Sequence, residues 1–146
     1  MPSWRDSTSP QAQADLDDLL NASLGFAQQQ LADHGEFYPY AAAIRADGQT
    51  EMIVGQARMA GEHPAATDIV ASCVEQLVSR QHAIRAAAII ADVRFPGHGG
   101  DAIEVSLEHA EGQALRVLLP YARRRKAITY GPIRASVGSR RIWSQS

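Results

Sequence analysis

Residues 84–95, with the sequence IRAAAIIADVRF, decide the fold. Side chains of a β-strand point alternately to opposite faces, and the first half of this segment is apolar in both alternating sets. A strand that is apolar on both sides is typical of the interior of a sheet. The segment therefore predicts a central strand, around which the rest of the chain can be arranged.

The chain that follows this segment continues as strands. Residues 101–110, DAIEVSLEHA, alternate between apolar and polar side chains, and a turn at Glu111-Gly112 leads into QALRVLLPYA at 113–122. The side chains predicted to face the core are Ile103, Val105, Leu107, Leu115, Val117 and Leu119. The weaker segments AITYG at 127–131 and IRASV at 133–137 predict a last strand with a Gly-Pro interruption.

Two amphipathic helices are predicted before the central strand. The first follows Ser9 and Pro10, a cap and first-turn pair, and ends at Gly35. Pro64 is expected to open the second helix. Its apolar stripe consists of Ile69, Val70, Cys73, Val74 and Leu77. Cys73 lies within this stripe, so it is interpreted as a small buried apolar residue.

A hairpin lies between the two helices. Its arms are predicted at 37–45 and 50–56, joined by Asp47-Gly48, a dipeptide suited to the positive φ angles of a tight turn. The element order is then α-β-β-α-β-β-β, with or without one more strand. We therefore expect a single α+β domain over residues 1–146, with a frayed lead-in at 1–9. Its two helices are predicted to pack on one face of a mainly antiparallel sheet of five or six strands.

With both helices on one side, the other face of the sheet would lack a cover. The helices are expected to meet the set that begins at Ala87 and Ile89, because its later members are bulkier. The opposite face carries small and apolar side chains, which usually mark an interface when they are exposed. The residues predicted to form a homodimer face are Ala86, Ala88, Ile90 and Leu118.

Composition narrows the class of protein. Of 146 residues, 45% are hydrophobic and 21% charged, which is ordinary for a globular chain, and no apolar run is long enough to span a membrane. A single cysteine fits a reducing cytoplasm. Residues 1–77 hold eleven acidic residues against three arginines, whereas 78–146 hold five against eleven basic ones. This asymmetry fits attraction between two halves of a domain or between subunits. A basic second half can also indicate a nucleic-acid partner, but the near-neutral pI and the small number of aromatic residues disfavour that interpretation.

Residues 95–109, FPGHGGDAIEVSLEH, have the composition of a catalytic or metal site. Strand alternation favours a structural explanation, since Glu104 and Glu108 would stand roughly 13 Å apart and His109 would end the strand as a hydrogen-bonded core residue. No metal, cofactor or catalytic motif is expected. The alternative is a ligand pocket at the loops. Its candidate residues are His98, Asp101, His34 and Tyr38.

The run YARRRKA supplies contiguous positive charge, which either attracts phosphate or an acidic partner or forms a solvated turn. Its candidate contact residues are Arg123, Arg124, Arg125 and Lys126. The segments HGEFYPYAAAI, DGQ, DAIEVSLEH and PY resemble small bacterial proteins of uncharacterised function, over residues 16–130. The resemblance implies a bacterial, cytoplasmic setting and supplies no catalytic residues.

The sequence is compatible with three functions. The first is a non-enzymatic binding or assembly protein, of an immunity or chaperone type, that masks a charged protein partner. The second is a small-molecule binding protein or hydrolase with a site near the PGHGG loop at 96–100. The third is a weak nucleic-acid binder that uses the RRRK run at 123–126.

Overall fold

The structure, a computed structural model, describes residues 8–54, 66–95, 100–125 and 127–143. The elements in chain order are α1 (Pro10–His34), β1 (Tyr40–Arg45), β2 (Thr50–Val54), α2 (Ala66–Ser79), β3 (Ile84–Phe95), β4 (Gly100–His109), β5 (Ala114–Arg124), β6 (Ala127–Tyr130) and β7 (Arg134–Val137). The predicted α+β class and the antiparallel sheet are confirmed. The described strands number seven, not five or six.

The strands form one sheet in the order β2-β1-β3-β4-β5-β6, with β7 also paired to β5. β3 lies in the interior, as its two apolar sets predict. β6 and β7 share the outer edge of β5, because Tyr130 pairs with Tyr121 and Val137 pairs with Leu115. The segment that separates them contains Pro132, which has no N–H for a ladder bond. The predicted interruption of the last strand is therefore confirmed.

The two helices lie on opposite faces of the sheet. α1 packs over Ala86, Ala88 and Ile90, whereas the core beneath α2 contains Ala87 and Ile89. The prediction that both helices share one face was wrong. β2 and β3 both run antiparallel to β1, so α2 is the crossover between two parallel strands, and its face depends on the handedness of that connection. Both alternating sets of β3 are apolar because both faces are covered.

The predicted dimer face is part of the interior of a single chain. Ala86, Ala88 and Ile90 are at most 1% exposed beneath α1, so they cannot meet a second copy while α1 stays in place. Leu118 does not share their face. It pairs with Glu104, whereas its neighbour Val117 pairs with the core residue Val105. This prediction was wrong because it followed from placing both helices on the other side.

Local signals in the sequence set the ends of these elements. The hydroxyl of Ser9 accepts a hydrogen bond from the amide of Ala12, and Gly35 ends α1 with φ 78°. The β1–β2 turn has Gly48 at φ 90°, and the Gly48 amide donates to the carbonyl of Arg45 at 2.8 Å. The predicted helix ends and tight turn are confirmed. Pro64, the predicted start of the second helix, lies outside the described residues.

Opposite charges from the two halves of the chain meet within the fold. Arg85 contacts Asp15 at 2.9 Å, and Arg80 contacts Glu51 at 2.7 Å. The charge asymmetry along the sequence is thus used, in part, to attach the acidic half to the basic half. No helix in the described ranges combines the length and hydropathy that crossing a bilayer requires.

Candidate functional site

The last turns of α1 and the β5–β6 hairpin enclose a groove of about 530 Å³, called here the α1-end groove. Its lining residues are Gln28, Leu31, Ala32, Gly35, Arg123, Arg125, Ala127, Ile128 and Tyr130. The sequence brings these parts together in two ways. Gly35 stops α1 at this level, and the pairing of Arg123 with Ile128 folds β6 back beside β5. Residues far apart in the chain therefore share one concave surface.

Two arginines give the α1-end groove its charge. Arg123 and Arg125 are exposed, and within the described chain neither forms a hydrogen bond or ion pair with a carboxylate. A Cβ atom at Gly35 would lie 3.4 Å from Nη1 of Arg123, in ordinary contact, so the guanidinium lies beside the end of α1. The carboxyl end of a helix attracts cations. Arg123 thus places its charge in the lining of the groove, beside the end of α1.

The lining beside the charges is apolar. Leu31 is buried, Ile128 is half-buried against the core, and Tyr130 leaves 37% of its surface exposed. The rings of Tyr130 and Tyr121 stand 6.4 Å apart, and burial raises the pKa of Tyr130. The groove can therefore hold a ligand that has negative charge beside an apolar group. The side chains of Arg124 and Lys126, the other residues of the predicted basic contact, lie outside the described part of the structure.

A second groove of about 440 Å³ lies on the other side of the same helix end. Its lining residues are Gln30, His34, Glu36, Phe37 and Tyr38. His34 and Tyr38, two of the four predicted ligand-binding residues, thus line one surface. Both are exposed. His98, the third, falls in the segment 96–99, which lies outside the described residues.

Asp101, the fourth predicted ligand-binding residue, belongs to a separate cluster on β3, β4 and β5. Its carboxylate lies 3.4 Å from Nε of Arg94, which also donates to Asp92 at 2.5 Å. The hydroxyl of Tyr121 donates to the same Asp92 oxygen, also at 2.5 Å. Burial and the adjacent Asp92 raise the pKa of Tyr121 to about 12. The cluster joins one cation to two carboxylates, and no motif in the sequence indicates it.

His109 is a buried structural residue, as predicted. Its Nδ1 accepts from the amide of Glu111 at 3.1 Å, so Nε2 carries the proton and donates to Asp15 at 2.9 Å. Asp15 also accepts from Arg85 and Gln11. Burial acts to raise the pKa of Asp15, but the hydrogen bonds from His109, Arg85 and Gln11 together bring it below its ordinary value. Both ring nitrogens of His109 are therefore occupied.

Glu108, the residue before His109, points to the opposite face and is 5% exposed. Its carboxylate accepts from the backbone amides of Arg141, Ile142 and Trp143, at distances from 2.6 to 3.1 Å. These bonds attach the end of the described chain to β4. Sequence reasoning assigned Glu108 to the polar set of its strand and missed this role, because its partners lie 33 to 35 residues away.

The basic residues of the second half are separated in space. Arg123 lies near one end of β5, whereas Arg140 approaches Gly112 in the turn before the other end. β5 is 11 residues long, so the two ends stand roughly 33 Å apart. Arg134 pairs with Leu118 and so faces the α2 side, whereas Arg123 faces the α1 side. The described arginines form no single positive stripe.

Neither a metal site among the described residues nor a known relative indicates what the chain binds. Within the described residues, no group of three or more His, Cys, Asp and Glu side chains could hold a metal ion. No family model, curated protein or solved structure matches this chain. The resemblance to small bacterial proteins therefore stays a prediction, and any statement about function depends on the geometry of the chain itself.

Proposed function

We propose that this chain is a non-enzymatic binding protein of a bacterial cytoplasm, which holds an acidic segment of a partner protein in the α1-end groove. The observation that carries the proposal is that Arg123 and Arg125 face this groove without a carboxylate partner in the described chain, beside the apolar wall of Leu31 and Ile128. A guanidinium binds carboxylates with two parallel hydrogen bonds. The apolar wall favours a segment that also carries an aliphatic or aromatic anchor.

The buried titratable groups support binding over catalysis. A general base needs a free lone pair within reach of the substrate, whereas both nitrogens of His109 are engaged. Asp92 and Asp101 neutralise Arg94, and the carboxylate of Glu108 is taken up by backbone amides. Cys73 lies on the buried face of α2, and burial raises the pKa of its thiol. These groups are thus engaged by other parts of the chain or buried within it.

The distribution of charge supports a protein partner over nucleic acid. A nucleic-acid surface usually presents a stripe of cations that follows the phosphate backbone. Here Arg123 and Arg125 lie at one end of the sheet and Arg140 at the other, and Arg116 is paired with Glu104 at 2.7 Å. Two cations beside an apolar wall match a short acidic segment better than a long polyanion.

A small-molecule ligand is the second candidate. The observation that favours it is the adjacent groove of about 440 Å³, in which His34 and Tyr38 stand beside Phe37. A ligand of this groove would not depend on Arg123 and Arg125, so substitutions at the two arginines separate the candidates.

Selection from a library of random 12-residue peptides tests the proposal. The library is panned on the wild-type protein at 150 mM salt and counter-selected on the double variant Arg123→Glu/Arg125→Glu. We expect the enriched peptides to share two or more acidic residues and one aromatic or large aliphatic residue. The double variant should bind them at least tenfold more weakly, as measured by fluorescence anisotropy, because the two charges attract carboxylates only in the wild type.

The matched control is Arg140→Glu/Arg141→Glu, which makes the same change in net charge at the other end of the sheet. It should retain the affinity of the wild type within about twofold, which corresponds to about 0.4 kcal/mol. Enrichment of peptides without acidic residues would contradict the proposal. So would equal weakening by both double variants, and a single-stranded oligonucleotide that binds more tightly than the selected peptides would favour the nucleic-acid hypothesis.

A further inference from the structure

The edge formed by β7 presents backbone and apolar groups without a partner in the described chain. β7 pairs only with β5 on its inner side. Ile133, just before the strand, is 50% exposed, and Val137, at its end, is 88% exposed. The other edge of the sheet is different, since Glu51 of β2 is held by Arg80 at 2.7 Å, and a charged pair at an edge discourages strand addition.

Hydrogen bonding along β5 and β7 determines which groups of this edge are open. The amide of Gly138 donates to the carbonyl of Ala114 at 3.0 Å. Bonded and non-bonded pairs alternate along an antiparallel ladder, so Arg134 and Ser136 bond back to β5. The N–H and C=O groups of Ala135 and Val137 then point away from β5, toward the open edge.

Ile133 and Val137 are placed symmetrically about Ala135. If two β7 strands pair antiparallel around Ala135, Ile133 of one copy meets Val137 of the other, twice, on the α1 side of the sheet. Ala135 pairs with its own copy, and the groups that this register joins are the ones that point to the open edge. Arg134 meets Ser136 and not a second arginine, so no like charges face each other directly.

The sheet face beside this edge is also apolar. A cleft of about 140 Å³ lies between α1 and the sheet next to β7, and its lining includes Leu16, Leu20, Leu115 and Ile133. The cleft lies on the side where the two Ile133–Val137 contacts would form, because Ile133 lines it. Pairing of β7 with its copy would therefore cover exposed apolar surface as well as satisfy backbone groups.

We propose that two copies of this chain associate through β7, around a two-fold axis at Ala135, into one continuous antiparallel sheet. Two-fold dimers are the commonest oligomers, and strand addition at an open edge is an established mode of protein association. This interface replaces the predicted one under α1. It is separate from the α1-end groove, so the binding of an acidic segment does not depend on it.

Light scattering after size-exclusion chromatography tests the proposal through the exposed side chain of Val137. The wild type at 50 µM should have about twice the chain mass of 15.8 kDa. Val137→Lys should return it to the mass of one chain, because each lysine would lie against an Ile133. Val137 is exposed in the single chain, so the substitution should leave circular dichroism and the thermal midpoint of the monomer unchanged. Ala71→Lys, an exposed position on α2, is the control and should stay dimeric.

Cysteine cross-linking tests the register. The two Ala135 Cα atoms would stand about 5.5 Å apart, within the roughly 4.4–6.8 Å that a disulfide spans. Ser136 and its copy would stand roughly 8 Å apart, too far for a disulfide without movement. Under mild oxidation Ala135→Cys should form a covalent dimer at least tenfold faster than Ser136→Cys, and the buried Cys73 should not react. A wild type that stays monomeric at 500 µM would overturn the proposal, as would a dimer that persists in Val137→Lys with no preference for Cys at 135.

Discussion

Asp15 and Glu108 are both nearly buried carboxylates, at 3% and 5% exposure, but they are stabilised by different partners. Asp15 accepts hydrogen bonds from the side chains of His109 and of the cation Arg85. Glu108 contacts three consecutive backbone amides, which never titrate. Both attach a distant part of the chain to the neighbouring residues 108 and 109 of β4. The first attaches α1 to one face of the sheet and the second attaches residues 141–143 to the other.

The difference matters because the two sets of hydrogen bonds are lost under different conditions. A carboxylate held by side chains loses a partner when one of those side chains is substituted, whereas backbone amides remain wherever the segment stays folded. The pKa of Asp15 is lowered by its partners, which links its contribution to pH. Substitutions at the two sites should therefore differ in the size and the location of their effects.

The largest effect is expected for Glu108→Ala. It removes the only described acceptor for the amides of Ile142 and Trp143 and leaves a buried space, so the free energy of unfolding should fall by about 3 kcal/mol. Because the amides would gain water when residues 141–143 detach, Trp143 fluorescence should shift to the red before global unfolding. Chemical denaturation followed at Trp143 and by circular dichroism measures both. Coincident, unchanged transitions would show that the segment does not need this anchor.

A smaller effect, about 2 kcal/mol at neutral pH, is expected for Asp15→Asn, because Arg85 remains 32% exposed and keeps part of its hydration. This contribution depends on pH. Since the folded pKa of Asp15 lies below its ordinary 3.8, the unfolded state takes up a proton first as pH falls. The stabilisation is therefore complete well above pH 3.8 and is lost as pH falls from there through the folded pKa.

The variant should thus be least different from the wild type in strong acid. Unfolding curves from pH 2 to 7 for the wild type and Asp15→Asn measure this convergence. A difference in stability that stays constant over the whole range would mean that Asp15 acts through its shape and not through its charge.

The sequence predicted the parts of this molecule that depend on neighbours along the chain. Ser9 beside Pro10, Gly35 and Asp47-Gly48 act within a few residues, and each marks the helix end or turn it predicts. The faces of the two helices depend on how the chain crosses the sheet, which an apolar stripe does not encode. In the candidate site too, the local pattern is the predictable part. His109 ends an alternating strand, and this position predicts its structural role.

The rest of the site was out of reach because its contacts are long-range. Arg123 meets Gly35 across 88 positions of sequence, and neither residue has a local pattern that indicates the other. Strand alternation predicts the face to which Glu108 points, but it does not predict which part of the chain covers that face. Only the folded chain shows that residues 141–143 lie there.

The smallest effect is expected for Gln11→Ala, which tests whether charge or the number of donors holds Asp15. Gln11 donates to Asp15 at 3.1 Å from one turn earlier in α1, as a neutral and partly exposed group. Such a pair contributes about 0.5 kcal/mol to a helix. Alanine has the higher helix propensity, which offsets part of the loss. The thermal midpoint should therefore change by less than about 3 °C. The stability of Gln11→Ala should depend on pH as that of the wild type does, because His109 and Arg85 still hold the carboxylate. If Gln11→Ala instead destabilised the protein as much as Asp15→Asn, the bonds from Arg85 and His109 would not be the ones that hold the Asp15 carboxylate.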